Sequence, residues 1–89
     1  MAYQFDKEND FFSGAPTLSY ERDGVMFYIC AADPGSFECG AIADLTPLST
    51  HQNLDADAAC ELSARLFGTP RVTDAQLAAL KDAAVAFWG

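Results

Sequence analysis

The stretch TLSYERDGVMFYICAADPGSFECGAIA, residues 17–43, decides how this chain folds. Its centre, Val25 to Ala32, is rich in β-branched and aromatic residues and reads as a strand. Asp23-Gly24 before it is a two-residue hairpin signal, because a type I′ turn needs positive φ at both central positions. Asp33-Pro34-Gly35-Ser36 after it is turn chemistry of the Pro-then-Gly kind. Thr17 to Glu21 and Phe37 to Ala43 are then the flanking strands of an antiparallel meander.

A two-residue turn sets Tyr20 opposite Phe27 and Leu18 opposite Ile29. A four-residue second loop sets Ala32 opposite Phe37, Phe27 opposite Ile42 and Cys30 opposite Cys39. Side chains alternate faces along a strand. One face is therefore expected to collect Leu18, Tyr20, Val25, Phe27, Ile29 and Ile42. The other collects Ser19, Met26, Tyr28, Cys30, Phe37, Cys39 and Ala41.

Outward from the meander, Leu45 to Gln52, with Thr46-Pro47, reads as a loop. Asn53 is placed to cap a helix over Leu54 to Phe67, with Asp55 and Asp57 in a first turn that favours acids. Gly68 stops it and Pro70 follows. Thr73 and Gln76 form a capping box for a second helix, Asp74 to Trp88. Helical spacing gives stripes of Ala59, Leu62 and Leu66 on the first, and Leu77, Leu80, Ala84 and Phe87 on the second. The expected class is α+β: a three-stranded antiparallel β-meander packed on one face by two C-terminal helices. Residues 1–16, with Phe5, Phe11 and Phe12, form an acidic leader or arm, and 17–89 the single domain.

At 89 residues there is room for one core. Thirteen acids against 5 bases give a net charge of -8, which repels phosphates and speaks against direct nucleic-acid binding. The same charge attracts basic partners. Met1 to Asp10 lacks the basic and apolar segments of a signal peptide, and no window reaches the roughly 18–20 apolar residues of a membrane span. With an odd count of 3 cysteines, this points to a reducing cytoplasm.

Chemistry-bearing groups are sparse. His51 is the only histidine. Cys30, Cys39, His51 and Cys60 match zinc in number but not in spacing. Asp55, Asp57 and Glu61 lack the glycine and distal glutamate of a calcium loop. No metal, cofactor or catalytic residue is therefore expected. Acids are the better candidates for contact: Asp6, Glu8, Asp10, Glu21, Asp23 and Asp33, since spaced carboxylates imitate a phosphate backbone. Met26, Tyr28, Phe37 and Trp88 are candidates for a homodimer face.

In small size, acidity and absence of catalytic motifs, the chain resembles phage-encoded inhibitors of bacterial defence, the anti-CRISPR proteins. That resemblance implies a protein-binding function, often at a partner surface meant for nucleic acid. The alternative is a structural or accessory homodimerisation domain without catalytic activity.

Overall fold

The computed structural model describes residues 6–9, 15–33, 35–44 and 46–89, with backbone alone for 6–9 and 33. The fold is α+β. Four strands form a continuous antiparallel meander: β2 (Pro16–Arg22), β3 (Val25–Asp33), β4 (Ser36–Ala43) and β5 (Thr46–Leu54). A short strand, β1 (Asp6–Asn9), extends it along the free side of β2. Helices α1 (Ala56–Phe67) and α2 (Asp74–Trp88) follow and cover one face.

Two features of this architecture correct the three-stranded expectation. Part of the acidic leader, Asp6–Asn9, pairs with β2, while Phe5, Asp10, Phe11 and Phe12 lie outside the described residues. The segment read as a loop, Leu45 to Gln52, is mostly strand β5. Its polar sequence hid it, because β5 is the last strand of the sheet and much of it is exposed. Pro47 is tolerated there, as prolines are at edges and bulges. It lies opposite Ile42, where the β4–β5 register shifts.

The first hairpin is as expected. Asp23 and Gly24 both have positive φ, 53° and 79°, and Tyr20 faces Phe27 with Leu18 facing Ile29. The second is not. Asp33 faces Ser36, but Cys30 faces Glu38, so Ala31 and Ala32 together oppose Phe37 alone. This is a β-bulge, one extra residue in β3. A one-residue slip carries a whole strand's side chains to the other face. Phe37, Cys39 and Ala41 therefore join the helix-side core with Leu18, Tyr20, Phe27, Ile29 and Ala31. Ile42 leaves it to stand opposite Met26, and Cys30 lies across from Glu38 rather than Cys39. Cys30 and Cys39 thus point to opposite faces and cannot form the cross-strand disulfide the expected register allowed.

On the face away from the helices, Tyr28 donates to Glu38 Oε2 at 2.9 Å. Its ring lies across Gly40, where an added Cβ would sit 2.6 Å from Tyr28 Oη and press on the Ser49 carbonyl. Burial is the first cause, and Glu38 beside it the second, that pushes the Tyr28 hydroxyl pKa upward.

The helices are capped by different means than expected at one point only. Asp55, not Asn53, caps α1, its carboxylate accepting from Ala58 N at 2.7 Å. Asn53 belongs to β5, with φ 62°. Gly68, at φ 66°, ends α1, and the Thr73–Gln76 capping box opens α2 as read. α1 buries Ala56, Ala59 and Ser63, and the Ser63 hydroxyl pairs with Thr69 at 3.0 Å. Leu66 is exposed rather than part of that stripe. In α2 Leu80 is buried, while Leu77 and Ala84 pack against the core from its margin. Phe87, expected in the core, is 45% exposed.

Candidate functional site

The two ends of the sheet differ, and the site lies at one of them. β3 is a nine-residue strand, so its ends stand roughly 25–30 Å apart. One end carries the Asp23-Gly24 turn and the C-terminus of α1. The other carries the β3–β4 turn, the N-terminus of α1 and the C-terminus of α2.

At this second end the surface opens into a groove of about 540 Å³. Phe37, Ala56 and Ala84 line its apolar interior, with Val85 and Trp88 along the α2 side. Asp55, Asp57 and Lys81 supply the charged groups. A volume of this size, mostly apolar with a few polar groups, is typical of ligand-binding clefts.

The bulge builds the groove's aromatic side. A bulged residue leaves the regular ladder, and the Ala31 carbonyl accepts from the Trp88 indole N–H at 2.7 Å. Trp88 is therefore held in place while remaining 36% exposed, and the Phe87 ring stands nearly perpendicular to it, 5.0 Å between ring centres. Val85 is 72% exposed. Exposed large apolar side chains gathered at one place mark interaction surfaces more often than isolated ones do.

The electrostatics are acidic on balance. Lys81 is held by Asp57 at 3.3 Å, an exposed pair worth at most about 1 kcal/mol. Asp55 stands on the rim with one oxygen engaged in capping α1. The last turn of α2 contains no basic residue, so nothing of its own offsets the partial negative charge of that helix end.

The acids singled out from the sequence do not form one patch. Glu21 and Asp23 are exposed at the hairpin end, and Asp33 ends β3 at the groove end. The backbone sets Asp6 opposite Ser19 and Glu8 opposite Thr17, and Asp10 lies outside the described residues. Nor do the four candidates for a dimer face share a surface. Phe37 is buried on the helix side, Met26 and Tyr28 belong to the opposite side, and Tyr28 is buried. Of the four, Phe37 and Trp88 both line the groove. Sequence reasoning missed Val85 and the groove role of Asp55, because neither shows until the bulge and the helix packing bring them together.

His51 is placed opposite Cys39, with Ser49 at 2.9 Å from its Nε2 and the Phe67 ring 6.3 Å away. Cys39 is fully buried, and burial pushes its pKa up to about 11, with Glu38 adding to it. Cys60 on α1 is likewise pushed up to about 11, by burial first and then by Asp57. Both thiols are protonated at neutral pH and poor nucleophiles. Among the described residues no three His, Cys, Asp or Glu side chains gather as a metal site, and no helix is long and apolar enough to cross a membrane.

No protein-family model, no curated protein and no solved structure matches the chain.

Proposed function

We propose that this chain is a small acidic protein-binding domain that occupies a basic surface on a larger protein complex. The observation that carries this is the groove between α1 and α2: an apolar interior bordered by Asp55 and the Asp57–Lys81 pair, in a chain with net charge -8. Apolar contact supplies affinity at such a surface, and charge of the opposite sign speeds and selects the encounter. The basic surface it fits best is one that otherwise holds nucleic acid, and covering it makes the chain an inhibitor of the phage anti-defence kind. It acts by binding, in the cytoplasm, where its thiols stay reduced.

Affinity capture from host lysate at about 0.15 M and about 0.5 M salt tests the first part. The proposal expects a partner whose capture weakens steeply as salt rises, and whose nucleic-acid binding is lost when the chain is added. A partner held equally at both salts, and still binding nucleic acid, contradicts it.

A further inference from the structure

We infer that the groove's occupant is an arginine side chain of the partner, flanked by an apolar residue that enters the groove beside it. This rests on the protein-binding reading above and names what that surface takes. At the C-terminus of α1, the Arg22 guanidinium donates to Phe67 O at 2.6 Å and to Gly68 O at 3.3 Å. It also lies over the Phe27 ring, 5.1 Å from its centre. Arg65 adds a second cation in the last turn of the same helix. A planar cation, a helix carbonyl end and an aromatic face thus meet in one arrangement.

Among the described residues, the C-terminus of α2 has a ring and helix carbonyls but no guanidinium. The helix ends at Trp88 with no base in its last turn, and Gly89 N occupies the Val85 carbonyl. The indole of Trp88 is fixed by Ala31 and borders the groove, and the Asp55 carboxylate stands on its rim. Lys81 also lines the groove, paired with Asp57 at 3.3 Å, and its ammonium lacks the planar fork of a guanidinium. A guanidinium entering here finds a ring to stack on, carbonyls at a helix end and a carboxylate, which suits its flat fork of donors better than an ammonium. Its apolar neighbour covers Val85 and reaches the surface of Phe37 and Ala84.

The experiment uses Trp88, the only tryptophan in the chain, as its reporter. Three synthetic peptides are titrated against the intact protein: alternating leucine and arginine, the same with lysine for arginine, and the same with glutamate for arginine. The inference expects a saturable change in Trp88 emission with the arginine peptide. Binding should be weaker by about threefold or more for lysine and about tenfold or more for glutamate. Val85→Arg places a cation in the groove from the chain itself and should abolish the change. Asp55→Ser removes the carboxylate yet keeps a capping hydroxyl, and should weaken binding about threefold. Circular dichroism of both variants should match the parent protein. No saturable change with the arginine peptide, or equal binding by all three peptides, overturns the inference. A lysate partner captured equally well by Val85→Arg, in a salt-sensitive manner, overturns the groove's role while leaving the protein-binding proposal standing. A peptide response at Trp88 with no salt-sensitive partner in lysate does the reverse.

Discussion

The two helices end differently, and the contrast separates what holds this protein together from what it offers to others. α1 lies against the sheet through Ala56, Ala59 and Ser63, and its C-terminus is closed by Gly68, Arg65 and the Arg22 guanidinium. α2 is seated by one buried side chain, Leu80, and its last turns carry Val85, Phe87 and Trp88 into solvent. The first end has its cation, aromatic ring and carbonyls assembled from within the chain. Among the described residues the second has the ring and the carbonyls, and the groove's cation, Lys81, is paired with Asp57. Exposed apolar groups at a helix end without its charge complement have a cost in solubility, and that cost is offset when a partner covers them.

The largest expected effect comes from unseating α2. Leu80→Ala removes its one buried anchor and should lower stability by about 2–4 kcal/mol in a denaturant melt. The same variant should lose the groove, seen as fully solvated Trp88 emission. A melt unchanged by Leu80→Ala would mean that α2 is held by something other than this contact.

The next effect is a pH dependence that belongs to the buried interior, common to both ends. Cys39 and Cys60 rise from an ordinary value of 9.0 to about 11, chiefly by burial, and Tyr28 moves in the same direction. The unfolded chain therefore gives up these protons first. Stability from this source is complete below about pH 9 and is lost as pH climbs towards about 11. The melting temperature should fall across that window, and less steeply in Cys39→Ala than in the parent protein. Identical slopes would contradict the assignment.

Arg22→Ala opens the α1 end. It removes two hydrogen bonds and a ring contact from an exposed side chain, and should cost about 1 kcal/mol. Arg22→Lys should recover only part, since an ammonium lacks the planar fork. Smallest is Val85→Arg, which closes the α2 end. Its effect on stability should be a gain of about 0.3–0.5 kcal/mol from the added cation in the last turn. A substantial loss would show that Val85 is more buried in solution than its place on α2 implies.

Much of this contrast was legible in the residues, and the rest was not, for physical reasons. Asp23-Gly24, Gly68 and the Thr73–Gln76 box are local devices, and each works where its residues stand. So Tyr20 opposite Phe27, and the full extent of α2, followed directly from them. The bulge is different. Ala31 and Ala32 are equally small and apolar, so neither pays for facing the core or leaving it, and the slip between them has no sign in composition. That slip reversed the faces of Phe37, Cys39, Ala41 and Ile42, while Leu18, Tyr20, Phe27 and Ile29 share one face as their own register requires. β5 was hidden by its polar edge position. Phe87 fitted a helical stripe, but α2 crosses the sheet so that Leu80 takes the core position and Phe87 stays at the rim of the fold. Trp88 is a candidate for a homodimer face by sequence, and only its contact with the Ala31 carbonyl shows why it stands where it does.

The most direct test of which end binds is amide hydrogen exchange, recorded free and with the leucine–arginine peptide bound. Exchange should slow at Ala56–Ala59 and Ala84–Trp88, on either side of the groove, and stay unchanged from Glu21 to Val25 at the hairpin end. Slowing around Asp23 and Gly24, with the last turns of α2 unaffected, would contradict the account.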